Sequence, residues 1–226
     1  MDVAILFSGG KDSTMALYSA LKAKDNVKYL LSVKSRNDES YMFHVPNIHI
    51  TDLIAEALEI PILSIETEGI KEEELIDLKN AFVKLKKLGV EGIYTGALYS
   101  VYQKSRIEKL ANELNLKVIS PYWHVNELEY MNDIVSLGFK VIICGVSAWG
   151  LDETWLGRLI DEDCIYDLVK LNEKYKVNIA FEGGEAETLV IDGPIFKKSI
   201  EIIKYKKEWH LDSGVFIIED AKLKDK

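Results

Sequence analysis

Three short stretches carry residue types whose spacing can do chemistry. The first is Ser8-Gly9-Gly10-Lys11-Asp12-Ser13, near the start of the chain. Gly9 and Gly10 let the main chain approach an anion closely, so that successive N–H groups face it. Lys11 would neutralise the outer phosphates of a nucleotide, and the hydroxyls of Ser8 and Ser13 would add hydrogen bonds. Asp12 has two readings, a water-mediated contact to Mg²⁺ or a helix cap. The stretch is not a Walker A loop, because the positions that motif reserves for its first Gly and for Ser or Thr after Lys hold Ile5 and Asp12.

The second stretch is Gly96-Ala97 followed by Tyr99, Ser100, Tyr102, Gln103 and Arg106. On a helix running from residue 98, positions 99, 102, 103 and 106 share one face. A purely buried face would not choose Gln and Arg, and the alternative is a surface helix whose tyrosines rest partly on the core. The third is Glu182-Gly183-Gly184-Glu185-Ala186-Glu187-Thr188. Carboxylates this dense repel one another without a nearby cation. They fit Mg²⁺, a cationic substrate or a general base, with a solvated acidic turn as the plain alternative.

These stretches need elements to hold them. The apolar run of residues 3–7 reads as a buried parallel strand, and residues 15–22 as the helix that follows it, which puts the Gly-Gly turn at a strand–helix junction with the helix dipole behind it. Strands are expected at 28–33, 61–65, 92–97 and 117–120. Helices are expected at 50–58, capped by Thr51 or Asp52, within 66–88 with a stop at Gly89, and at 98–110. Repeated β-then-α units imply a parallel sheet with helices on both faces. The polar loop of residues 34–40, with Ser35, leaves the carboxyl end of the second strand, where such sheets bind ligands.

Beyond Pro121-Tyr122-Trp123-His124 the rhythm changes, and a smaller second region is expected from about residue 126 to 226. It contains a helix at 127–137, a strand at 140–146 able to extend the sheet, a loop-like run at 149–158, a helix at 165–175, a strand at 178–181, the acidic loop at 182–188, and a β-rich tail at 199–206 and 215–218.

The chain has 226 residues, 48% of them hydrophobic, enough for a large core. Its net charge of −9 and scattered lysines speak against a nucleic-acid partner. No signal peptide precedes the first strand and no apolar run is long enough for a bilayer, so a cytoplasmic protein without a membrane partner is expected. Cys144 reads as a small hydrophobe on a buried strand, while Cys164 leaves structural and catalytic readings open. His44, His49, His124 and His210 lack metal-ligand spacing, so no protein-held metal centre is expected.

In this order, Ser8 through Ser13, Gly96 through Arg106, Pro121-Tyr122-Trp123 and Glu182 through Thr188 resemble the diphthine–ammonia ligase family of N-type ATP pyrophosphatases, including its short archaeal members, over nearly the whole chain. The first block is common to many pyrophosphatases; the second and fourth narrow the match. The resemblance implies a HUP-type Rossmann-like α/β domain, residues 1–125, and a smaller C-terminal α+β domain, residues 126–226. It implies amidation of the diphthine carboxylate on translation elongation factor 2 with ammonium, ATP becoming AMP and pyrophosphate, with ATP and Mg²⁺ as cofactors. Ser8, Gly9, Gly10, Lys11, Asp12, Ser13, Ser35 and Gly96 would then bind ATP. Tyr99, Tyr102, Gln103, Arg106, Trp123, Gly183, Gly184 and Thr188 would face the substrate, and Glu182, Glu185 and Glu187 would be catalytic. A homodimer is compatible with this reading. Two alternatives share the first block: a tRNA-modifying pyrophosphatase, disfavoured by the acidic balance and the lack of Cys-x-x-Cys, and a nucleotide-binding protein without covalent chemistry.

Overall fold

The computed structural model describes residues 1–36, 46–70 and 74–226. His44, the distal part of the 34–40 loop and the acids Glu72 and Glu73 lie outside the described residues. The chain divides into two compact units, one of Met1–Ser8 with Asp12–Trp123 and one of Gly9–Lys11 with His124–Lys226.

The first unit alternates strands and helices: β1 (Asp2–Leu6), α1 (Lys11–Lys22, its first residue belonging to the other unit), β2 (Asn26–Ser35), α2 (Thr51–Leu58), β3 (Ile62–Thr67), α3 (Glu74–Lys87), β4 (Gly92–Tyr94), α4 (Val101–Glu113) and β5 (Lys117–Ile119). All four strand pairs are parallel, in the order β3-β2-β1-β4-β5. After β1 the chain builds outward on one side through β2 and β3, then returns to build on the other through β4 and β5. The reversal falls between β1 and β4, and the carboxyl ends of strands flanking such a switch point are where open sheets of this kind bind ligands.

Both faces are covered, as the near-continuous apolar strands require. One face supplies Ala4, Leu31, Val33 and Ile93 to a core with Leu78, Phe82 and Leu85 of α3 and Ile107 and Leu110 of α4. Strand alternation turns Ser32 to the opposite face, where its hydroxyl lies 3.4 Å from Thr51 Oγ1 of α2. Thr51 does not cap α2. That position is held by Ile50, closing a 3-10 turn (Ile48–Ile50), and the Thr51 hydroxyl donates back to the Ile48 carbonyl at 2.6 Å. Asp52 instead pairs with Lys34 and accepts from Ser64 Oγ at 3.1 Å. Gly89 follows the C-terminus of α3 with φ +86°, as expected of a glycine stop.

The second unit contains α5 (Glu127–Ser136), β6 (Lys140–Val146), a 3-10 turn (Glu153–Trp155), α6 (Glu162–Tyr175), β7 (Ala186–Asp192), β8 (Lys198–His210) and β9 (Ser213–Asp225). Here the sequence expectation needs correcting. Residues 140–146 do not extend the parallel sheet; β6 is an inner strand of an antiparallel sheet ordered β7-β6-β9-β8. Residues 178–181 are not a strand but a turn, and the strand lies later, with residues 186–188 of the presumed loop forming the start of β7. Apolar Ile179-Ala180-Phe181 imitates a short buried strand because Ala180 and Phe181 are indeed buried, but in a turn held by Asn178.

Both cysteines are free and fully buried, Cys144 on β6 and Cys164 in the first turn of α6. Burial pushes the Cys164 thiol up to about 11, and with its full burial this favours the structural reading of the two left open above. At pH 8 its thiolate fraction is then about one in a thousand. Neither cysteine is expected to react with a disulfide reagent in the folded protein, and both are expected to react after denaturation; one rapid equivalent from native protein would contradict the structural assignment.

Candidate active site

In the first unit, Ser8 leaves β1 and Ser13 lies in the first turn of α1, their hydroxyls 3.3 Å apart, with the Ser8 N–H donating to Ser13 Oγ at 3.3 Å. The serines thus brace the two ends of the glycine turn. Asp12 is the second residue of α1, inside the helix and not at its cap, which removes the capping reading.

Gly96 follows β4, across the switch point from this turn. A Cβ there would meet the Asp12 carbonyl carbon at 2.5 Å, its oxygen at 2.7 Å and the Ser13 nitrogen at 2.7 Å, all of them backbone. Its absent side chain lets the end of β4 lie directly against the first turn of α1. Ser35 ends β2, paired with Thr67 at the same carboxyl edge.

The second predicted stretch is only partly a helix face. Residues 95–97 are not strand, and α4 starts at Val101 with Ser100 as its N-cap, the hydroxyl accepting from the Gln103 N–H at 3.4 Å. Tyr99 therefore precedes the helix, exposed, and does not share the face of Tyr102, Gln103 and Arg106. The reason is local: a serine with a free hydroxyl three residues ahead of an amide is a better helix start than the aromatic before it. Within α4 the Arg106 guanidinium stacks on the Tyr102 ring, 3.5 Å from its centre. Trp123 is covered by Lys104, whose ammonium lies 5.1 Å from the ring centre and also pairs with Glu108.

In the second unit the glycine turn meets the acidic stretch. β7 is an edge strand of its sheet, and on its open edge the Val190 N–H donates to the Gly9 carbonyl at 2.9 Å. Two residues earlier Thr188 Oγ1 accepts the Lys11 N–H at 3.2 Å. Gly9 adopts φ +80°, a conformation that a side chain would strain. Lys11 is 3% exposed, its ammonium 5.8 Å from the centre of the Phe181 ring. Thr188, expected to face substrate, is thus tied to the glycine turn.

The three acids are not equivalent. Glu185 uses both carboxylate oxygens on main-chain amides, accepting from Asn178 N–H at 3.0 Å and Gly183 N–H at 2.7 Å. Glu182 is half-buried in the turn, directly after Phe181. Glu187 is exposed on β7, and strand alternation puts it on the face opposite Thr188. Gly183 packs under the Glu185 carboxylate, which a Cβ would meet at 2.6 Å, and the Gly184 carbonyl accepts from Ser147 Oγ at 2.8 Å. Among the described residues no group of three or more His, Cys, Asp and Glu side chains is placed to hold a metal ion.

Sequence reasoning missed Ser147, Asn178, Phe181 and Val190. Only Asn178 left a signal, an Asx residue between a helix and a glycine turn. Phe181 sits at φ +64°, strained for an aromatic residue.

Parallel α/β units with a glycine turn between the first strand and helix are a common architecture of nucleotide-binding proteins. Residues 1–118 match the family model described as the diphthamide synthase N-terminal domain, and residues 126–223 that of the C-terminal domain. Diphthine–ammonia ligase from Homo sapiens is 34% identical over 222 residues, covering 88% of this chain and 82% of the relative. The ligase from Schizosaccharomyces pombe is 29% identical over 245 residues, all of this chain but 40% of that longer protein. The chain belongs to the diphthine–ammonia ligase family. A solved structure from Methanocaldococcus jannaschii, described as a predicted subunit of tRNA methyltransferase, is 17% identical over 86% of this chain and 98% of that one at TM-score 0.44.

Proposed function

We propose that the protein joins ammonia to the carboxylate of diphthine on translation elongation factor 2, converting ATP to AMP and pyrophosphate. A carboxylate resists ammonia because its carbon is already electron-rich and its leaving oxygen is poor. Adenylation removes both obstacles. A carboxylate oxygen attacks the α-phosphorus, the α–β bridging P–O bond breaks and pyrophosphate leaves. Ammonium first gives a proton to a base; the lone pair this frees attacks the acyl carbon, the C–O bond to AMP breaks, and a second proton leaves the nitrogen as the amide forms.

The observation that carries this reading is the buried Lys11 in a glycine turn whose backbone is fastened to the acidic segment at Gly9–Val190 and Lys11–Thr188. Lys11 and the turn's N–H groups hold the departing pyrophosphate, with Ser8 and Ser13 bracing the turn. Mg²⁺ supplies charge neutralisation when bound with ATP; with no protein cage for it among the described residues, the phosphates would provide most of its ligands, with Asp12 as the candidate carboxylate. Ser35 and Gly96 mark the nucleotide side, while Tyr102, Gln103, Arg106 and Trp123 form the acceptor side. The quaternary ammonium of diphthine would take the place of Arg106 on Tyr102 or of Lys104 on Trp123, a cation–π contact worth about 0.5–2 kcal/mol. Glu182 and Glu187 hold ammonium and accept its proton, and Glu185 shapes the loop. With that protein substrate the working compartment is the cytoplasm.

The reading is tested by incubating the protein with ATP, elongation factor 2 bearing diphthine, and ammonium. AMP and pyrophosphate are expected only when all three are present, and AMP release independent of the acceptor would refute the ligase assignment. Glu182→Gln and Glu187→Gln are each expected to slow amide formation by about 100-fold with ATP affinity retained. Glu185→Gln is expected to lower the melting temperature as well, because a side-chain NH₂ then opposes one of two main-chain donors. Loss of ATP affinity in the Glu182 or Glu187 variant would move that acid to the nucleotide side.

A further inference from the structure

Asn178 has no role in the ligation scheme, yet its polar groups converge on the acidic loop. Its main-chain N–H donates to Glu185 Oε1 at 3.0 Å. Its side-chain oxygen accepts from the N–H groups of Ala180 at 2.9 Å and Glu182 at 3.1 Å. Its side-chain nitrogen donates to Glu127 Oε1 of α5 at 2.7 Å. Its carbonyl accepts from the Phe181 N–H at 3.0 Å, and the Phe181 carbonyl in turn accepts from Gly184 N–H at 3.3 Å.

One amide side chain therefore orients both ends of the turn that carries Phe181 and Glu182. An amide suits the place because each half has a different duty: the oxygen must accept twice while the nitrogen donates once. Fastened on both sides, Phe181 is held at φ +64° with its ring over the Lys11 ammonium. Such strain persists only where the surroundings over-determine it.

We propose that Asn178, anchored by Glu127, is a positioning residue for the ligation reaction, setting Phe181 and Glu182 in the geometry that turnover requires. The proposal rests on the ligase reading above. Asn178 acts through the turn, so it governs kcat more than nucleotide binding. The Lys11–Thr188 and Gly9–Val190 hydrogen bonds that seat the phosphate turn do not pass through it.

The pair can be inverted chemically. Asn178→Asp keeps the oxygen that accepts from Ala180 and Glu182 but sets a second carboxylate against Glu127, and the two repel. Adding Glu127→Gln restores the bond with its direction reversed, because the new amide donates to the new carboxylate. Wild type, Asn178→Asp, Glu127→Gln and the double variant are compared by kcat and KM for ATP, and by hydrogen exchange of the Ala180 and Glu182 amides, at a temperature where melting curves show all four folded.

Asn178→Asp is expected to lose kcat by about 10- to 100-fold, with a much smaller change in KM and faster exchange at both amides. The double variant is expected to return to within about twofold of Glu127→Gln in both readouts. Wild-type kcat in Asn178→Asp would overturn the proposal. So would a double variant no better than the single one, or recovered amide protection without recovered kcat. Should wild type make no AMP with all three substrates, the ligase reading fails separately, and the exchange pattern still decides whether the Asn178–Glu127 pair sets the turn: rescue in the double variant upholds that anchoring, and its absence overturns it.

Discussion

Lys11→Ala is expected to cut ATP-dependent turnover by about 100- to 1,000-fold and to abolish measurable ATP affinity in the micromolar range. The size of the effect follows from where the charge sits. Lys11 is 3% exposed, so its attraction for phosphate is less screened by water than that of a surface lysine. Its main-chain N–H bond to Thr188 survives truncation of the side chain, as does the Gly9–Val190 bond. The turn should therefore keep its shape while losing its cation, separating charge from architecture. Calorimetric titration with ATP and a count of AMP released per enzyme measure both halves, and wild-type turnover in Lys11→Ala would refute the assignment of the turn.

Gly96→Ala tests architecture instead. The added methyl would stand 2.5–2.7 Å from three backbone atoms of Asp12 and Ser13, closer than real Cβ contacts come, and none of those atoms is the end of a flexible side chain. Either the end of β4 or the first turn of α1 must move. Overpacking of this kind costs about 1–3 kcal/mol, equivalent to a fall in melting temperature of roughly 2–12 °C for a chain of this size. Because the first turn of α1 carries Asp12 and Ser13, ATP affinity is expected to fall with it. An unchanged melting temperature and unchanged ATP affinity would show that the close approach of Gly96 to α1 is not required.

Much of this organisation is legible in residue order. The strand–turn–helix around Ser8 through Ser13 is local: a buried apolar run, two glycines and a helix-forming segment specify it without distant help. The same holds for α3, whose apolar period and Gly89 stop are both realised. The start of α4 was misplaced because Tyr99 satisfies the helical period as well as its neighbours do, while the Ser100 cap decides otherwise. Strand 140–146 was recognisable, but its sheet was not. An apolar β-rich segment fits the middle of a parallel or an antiparallel sheet, and only its partners β7 and β9 distinguish them.

By itself, the sequence determined which residues could do chemistry: a turn able to grip phosphate, an acidic stretch able to hold a cation, and the family blocks between them. Residue type and short spacing carry that information because backbone freedom, charge and hydrogen-bonding capacity belong to individual side chains. What only the tertiary structure decided is how those residues divide the work. Thr188 holds the main chain of Lys11, Glu185 holds its own loop, Gly96 makes room for the first turn of α1, and Asn178 ties Glu182 to α5. Each of these roles, apart from the bond of Glu185 within its loop, joins parts of the chain that are separated in sequence by helices or strands. A hydrogen bond or a missing Cβ across such a gap has no local signature in the residues between.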